Sequence, residues 1–250
     1  MNFLVVIRDK KIFIPSLLKE YKNKKIVLKE KIKKEDVKKA DLIITIGGDG
    51  TFLSASHFSD NTPILGINRN PSESECFLCN KKLENFERVF KKILNKEYKI
   101  KDYTRVDVRI KKEKKEFVLE KALNETFFGN INPHHTSKYE ILYRNKKDIQ
   151  KSSGVIITTG AGSTAWYKSL GEKSFSPLKK ELRFVVRELY KGRLQKPNIK
   201  KGKIKEKEKL ILVSKMNHGI ISIDSIRTYK VGYNDKVILK VGIPLKVVFV

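Results

Sequence analysis

Residues 42–51, LIITIGGDGT, carry an Ile-rich run into two glycines, an aspartate, a third glycine and a threonine. The run 42–46 has no polar face and reads as a buried strand, whereas residues 51–58, TFLSASHF, read as the first turns of a helix. Gly47, Gly48 and Gly50 then occupy the turn between the two, where a missing Cβ lets backbone N–H groups come close to a ligand. The N-terminus of the following helix adds orphan donors and the positive end of its dipole, which favours phosphate. Asp49 does not fit phosphate holding, because like charges repel. Its place points instead to chemistry on a hydroxyl beside phosphates. A tight strand-to-helix turn with a capping aspartate explains the same letters, so both readings stand until other residues join them. The chain has no GxxxxGK[ST], which excludes a P-loop.

Outward from this stretch the first hundred residues alternate. Residues 3–7, 26–28 and 63–67 read as strands, with a helical 14–21 behind Pro15. Leu83, Phe86, Phe90, Ile93 and Leu94 recur at helical spacing. This βαβ rhythm predicts a mostly parallel sheet that takes ligands at the carboxyl ends of its strands, where the GGDGT turn lies. From about residue 101 the period changes to two. Val106, Val108 and Ile110 alternate with charge, as do Val237, Leu239 and Val241, and residues 117–119, 155–159, 182–186, 210–213, 220–223 and 245–250 are further strand-like runs. The expected architecture is a Rossmann-like α/β N-terminal domain plus an all-β, sandwich-like C-terminal domain. Its boundaries are 1–100 for the α/β part, 101–235 for the β-rich part, and 236–250 for closing strands that return to the N-terminal domain.

The chain has 250 residues and a formal net charge of +27. That charge alone is the profile of a nucleic-acid binder. The excess is mostly lysine, scattered and often alternating with glutamate, as in 111–116 (KKEKKE) and 203–209 (KIKEKEK). Such runs are solvated strand ends and loops. They still create a positive field that steers anionic substrates inward. No apolar run approaches a membrane span and the opening NFLVVI is too short for a signal segment, so a cytoplasmic protein without a membrane or nucleic-acid partner is expected. Cys76 and Cys79 form one C-x-x-C; zinc needs about four ligands and the nearest histidine in sequence is His57, so a structural metal site or a redox pair stands as the lesser reading beside two thiols in a reducing compartment. The adjacent His134 and His135 follow Pro133 in a loop and read as exposed side chains more readily than as an acid–base pair.

Two further motifs lie in the β-rich half. Asn124–Glu125 stands in LNETFFGN (123–130): a carboxylate can accept from both hydroxyls of a diol, and an amide can serve donor and acceptor sites of a base. Residues 152–169, SSGVIITTGAGSTAWYKS, fit G-x-G-x-x-[GA] at Gly160, Gly162 and Ala165, yet no ribose-binding acid follows in a βαβ unit. GGDGT, Asn-Glu and TGAGSTAW (159–166), in this order, resemble the three motifs of the NAD kinases, the last in place of the usual TPTGSTAY. GGDGT itself is shared with diacylglycerol-type lipid kinases and, in similar form, phosphofructokinases. Residues 214–224 and 235–247 resemble the family's closing strands. The chain departs from the pattern at Gly160 and Ala161, at Ser153 where an acid is usual, and in the loop 68–78.

This resemblance implies an ATP:NAD 2′-phosphotransferase. Asp49 would orient and deprotonate the 2′-hydroxyl. Gly47, Gly48, Gly50 and Thr51 would cradle phosphates through backbone donors. Glu125 would hold the ribose diol and Asn124 the adenine, while Ala161, Thr164, Ala165, Trp166 and Ser169 would line the adenosine pocket. Mg²⁺ would arrive with ATP, with no dedicated metal ligands on the chain. Family members assemble as dimers or tetramers, so a homodimer or homotetramer is implied. Asp224 is either near the nicotinamide end or a strand-end turn residue. The rivals are a GGDGT lipid kinase, a basic nucleic-acid-binding protein, and an inactive NAD-sensing homologue, which the intact Asp49 disfavours.

Overall fold

The computed structural model describes residues 1–72, 76–192 and 197–250. Residues 73–75 of the 68–78 loop, and 195–196 of the lysine-rich stretch 195–209, lie outside them. The chain divides into two compact units, Met1–Tyr103 with Pro244–Val250, and Thr104–Ile243.

The first unit runs β1 (Phe3–Ile7), α1 (Ser16–Glu20), β2 (Lys24–Leu28), α2 (Lys34–Lys38), β3 (Leu42–Gly47), α3 (Asp49–Ser56), β4 (Ile64–Asn68), β5 (Lys81–Lys82) and α4 (Phe86–Leu94). Its strands are parallel in the order β2-β1-β3-β4, with β5 beside the end of β4. The register aligns Phe3 with Leu42, Val5 with Ile44, and Ile44 with Leu65. These side chains form one apolar cluster with Phe86, Val89, Phe90 and Ile93 of α4. All residues of β1, β3 and β4 are buried, which requires cover on both faces and explains their near-continuous apolar sequence. Leu94, counted above on the apolar face of α4, is instead exposed. The chain end returns here, with Val247 parallel to Ile64.

The second unit follows from β6 (Lys99–Lys112), through β7 (Lys115–Val118), β8 (Glu125–Asn130), β9 (Ser137–Tyr143), β10 (Lys146–Ser152), β11 (Gly154–Thr158), the single turn α5 (Trp166–Ser169), β12 (Glu181–Arg187), β13 (Lys201–Lys205), β14 (Lys209–Ser214), β15 (Gly219–Ile223) and β16 (Arg227–Val231) into β17 (Lys236–Phe249). One antiparallel sheet has the order β13-β12-β11-β8-β15-β16. A second contains β10-β9-β14 and the first half of β17. Alternate residues of both, among them Phe128, Ile157, Phe184, Ile221, Ile141, Leu210 and Leu239, share one core. This is the inward–outward alternation of a sandwich.

The expected division into an α/β part and an all-β part is what the chain adopts. Individual elements differ. Helix α3 begins at Asp49, two residues before the predicted start, because Gly48 supplies an extended cap (φ −108°, ψ −173°) and an acidic residue suits the first turn. The runs 237–241 and 245–250 are one strand, β17. The strand expected at 117–119 forms as β7, an exposed edge. No helix among the described residues is long and apolar enough to cross a membrane.

Candidate functional site

In the first unit the site grows from Gly66. A Cβ there would meet the Leu78 carbonyl oxygen at 2.7 Å, Cys79 Cα at 2.8 Å and the Phe52 ring at 2.9 Å. Glycine therefore lets the 78–79 backbone lie on β4 beside the start of α3. The consequence is a clasp on Asp49. The Phe77 N–H donates to Oδ2 at 3.0 Å, and the Leu78 and Cys79 N–H groups donate to Oδ1 at 2.9 and 3.3 Å. A carboxylate held by three backbone donors has a fixed direction, and Oδ2 keeps a lone pair for a further partner.

The motif's other residues divide by role. A Cβ on Gly47 would overlap the Thr51 hydroxyl, so Gly47 is set by packing. Thr51 is only 2% exposed, and its N–H closes on the Gly48 carbonyl at 2.9 Å. It anchors the turn. Gly50 is exposed, and a Cβ there would meet nothing within 4 Å.

The second unit repeats the device. Asp224, at a strand-end turn with φ +50°, accepts from the N–H groups of Leu123, Asn124 and Glu125 at 2.8, 2.8 and 3.1 Å. Asp224 thus stands at a strand-end turn and clasps the Asn-Glu segment. The TGAGSTAW stretch packs on the same backbone: a Cβ on Gly162 would overlap the Asn124 carbonyl, and the Thr159 N–H donates to that carbonyl at 2.9 Å. Ser163 is buried and ties Gly160 to Phe175, donating to the Gly160 carbonyl at 2.7 Å and accepting from the Phe175 N–H at 2.9 Å. Gly160 is itself required, since a Cβ would run into Ser176 and Pro177. Two of the sequence motifs are thus one structural unit.

Glu125 is 7% exposed, and its Oε2 is buried with no hydrogen-bond partner among the described residues. Burial, and secondarily the nearby charge of Asp224, push its carboxyl up to about 7. A buried acceptor with an unmet lone pair fits a hydroxyl-bearing ligand. Trp166 is half-buried and stacks on Phe127 with ring centroids 5.5 Å apart, and the Arg187 guanidinium stands 5.2 Å from the indole. Ala161 is buried, whereas Thr164, Ala165 and Ser169 are exposed beside this stack. Phe127, Arg187 and Gly66 carried no signal in the sequence reading, because each acts through a neighbour that is distant in the chain or in another strand.

His134 and His135 pack edge to face at 4.4 Å and line a cleft of about 760 Å³ with Lys138, Lys151 and Tyr190. His57 is a buried residue behind α3. Cys79 is buried and Cys76 half-buried. A hydrogen bond with Cys76, then burial, then the charge of Asp49 hold the Cys79 thiol well above the ordinary range.

Residues 10–98 match the family described as the ATP-NAD kinase N-terminal domain. The NAD kinase of Fusobacterium nucleatum is 30% identical over 227 residues, covering 88% of this chain and 79% of that protein. The NADH kinase of Arabidopsis thaliana is 31% identical over 175 residues, 61% of this chain and 54% of that protein. The chain thus spans little more than half the length of that curated relative. Among solved structures, yeast NADH kinase complexed with NADH superposes with a TM-score of 0.80 at 18% identity, covering 99% of this chain and 83% of that one.

Proposed function

The chain belongs to the NAD kinase family, and on that premise we propose that it transfers the γ-phosphoryl group of ATP to the 2′-hydroxyl of the adenosine ribose of NAD, giving NADP. The observation that carries the proposal is Asp49: a carboxylate on the GGDGT turn, aimed by three backbone donors, with one lone pair of Oδ2 left over. In this reading Oδ2 takes the proton of the 2′-hydroxyl as the oxygen attacks phosphorus. Gly48 and Gly50 let the backbone approach phosphate, while Gly47 and Thr51 hold the turn in shape. Buried Glu125 accepts from the ribose diol and Asn124 reads the adenine. Trp166, on its Phe127 support, faces the base, with Ala161, Thr164, Ala165 and Ser169 around it.

Mg²⁺ is proposed to arrive bound to ATP, where it neutralises charge on the transferred group. Incubating the protein with Mg-ATP and NAD, and reading NADP with an NADP-specific dehydrogenase, tests the activity. No NADP above a no-enzyme control would overturn it. Replacing NAD by NADH in the same assay ranks the two acceptors, a comparison motivated by the NADH kinases among the relatives. Light scattering during gel filtration tests the proposed homodimer or homotetramer.

A further inference from the structure

Cys76 and Cys79 play no part in the phosphoryl transfer proposed above. Nevertheless their sulfur atoms and a carboxylate oxygen of Asp49 lie within 4.8 Å of one another, the only three metal-ligating side chains drawn this close among the described residues. The arrangement follows from features already present for other reasons. Gly66 seats the 78–79 backbone, the C-x-x-C spacing turns both sulfurs to one side of that loop, and the loop's N–H groups bring Asp49 to it.

Tetrahedral zinc places thiolate sulfurs at about 2.3 Å and carboxylate oxygens at about 2.0–2.2 Å, so its ligands lie about 3.3–3.8 Å apart. The three atoms need close by only about 1 Å. Two soft sulfurs discriminate against Mg²⁺ and Ca²⁺, which take oxygen. A fourth position would remain open to water.

We propose that Cys76, Cys79 and Asp49 form a binding site for a thiophilic divalent cation such as Zn²⁺, and that occupancy blocks phosphoryl transfer by engaging the Asp49 carboxylate. The binding step balances as two Cys–SH plus Zn²⁺ giving a zinc dithiolate and two H⁺, the protons passing to solvent. No oxidant is involved. The blocking clause rests on the kinase reading; the site does not.

The test uses Co²⁺ alone as a spectroscopic probe of the full chain, followed by Zn²⁺ in the kinase assay. One equivalent of Co²⁺ should give sulfur-to-cobalt charge-transfer absorption, displaced by Zn²⁺, lost in Cys76→Ser and in Cys79→Ser, and weakened at least about tenfold in affinity in Asp49→Asn. Equimolar Zn²⁺ should inhibit the wild type and be reversed by a chelator, with the fractional inhibition lost in Cys76→Ser. Cys76 is the less buried thiol, so that variant keeps the test open if Cys79→Ser does not fold. Absence of thiolate–cobalt bands, or bands that survive Cys76→Ser, overturns the site whether or not NADP is made. Bands in a protein that makes no NADP support the site and sink the kinase reading instead. Bands with undiminished activity under saturating Zn²⁺ overturn the blocking role.

Discussion

Asp49 and Glu125 both carry carboxyl groups, but only Asp49 has both oxygens met by backbone N–H donors. Asp49 lies among N–H donors at the start of α3, and Asp49→Asn keeps the side-chain volume while removing the proton acceptor. It should lower kcat by about 10²–10⁴ with the circular dichroism spectrum unchanged. Glu125 is buried without such donors on Oε2, and its carboxyl is raised from 4.5 to about 7. The folded state therefore holds a proton that the unfolded chain has released between these values. The stability tied to that proton is intact below about pH 4.5 and is lost as pH rises through about 7. Glu125→Gln removes the ionisation. Its melting temperature should match wild type near pH 4 and exceed it at pH 8.5, with a ceiling of about 3 kcal/mol. A gap independent of pH would contradict this. If the ionised form holds the ribose diol, the wild-type KM for NAD should fall severalfold between about pH 6 and pH 8, and that slope should vanish in Glu125→Gln. Among the glycines, Gly50→Ala should preserve stability and raise KM, whereas Gly47→Ala should destabilise by about 1–3 kcal/mol through overlap with Thr51, as differential calorimetry can resolve.

Between residues and units stand the loops that position the two carboxylates, each built by a contact far off in sequence. Gly66 on β4 seats residues 78–79, and Asp224 after β15 grips residues 123–125. Asp224→Asn should cost at least about 2 kcal/mol, because three hydrogen bonds lose their charge, and should raise the KM for NAD more than that for ATP. Equal changes in both would argue against a local effect. The legibility of elements follows the same logic. Buried strands β1, β3, β4, β11 and β15 announced themselves through unbroken apolar or alternating sequence. The hairpin of β9 and β10 did not: it turns at Arg144 with φ +53°, a conformation that sequence signals associate with Gly, Asn or Asp. Strand β13 has one buried apolar side chain, Ile204, and reads as a lysine-rich loop.

For the whole molecule the net charge of +27 has a kinetic consequence. ATP and NAD are anions, so kcat/KM should fall severalfold as ionic strength rises from about 20 mM to about 300 mM, with kcat nearly constant, because screening weakens steering and not the clasped groups. A flat profile would show that the lysines act only as a solvated surface. Periodicity in the chain dictated an α/β part followed by an all-β part, since burial patterns of period 3.6 and 2 are written into consecutive residues. Local letters likewise marked Asp49, Asn124 and Glu125. Their state was not written locally. That Asp49 meets three N–H donors, that Asp224 is a clasp, that Glu125 is left with an unmet oxygen, and that two cysteines close on Asp49 all depend on residues far apart in the chain, up to 101 positions, brought together by sheet packing. Hydrogen bonds and desolvation act over a few ångströms of space, whereas a motif reports only order along the chain.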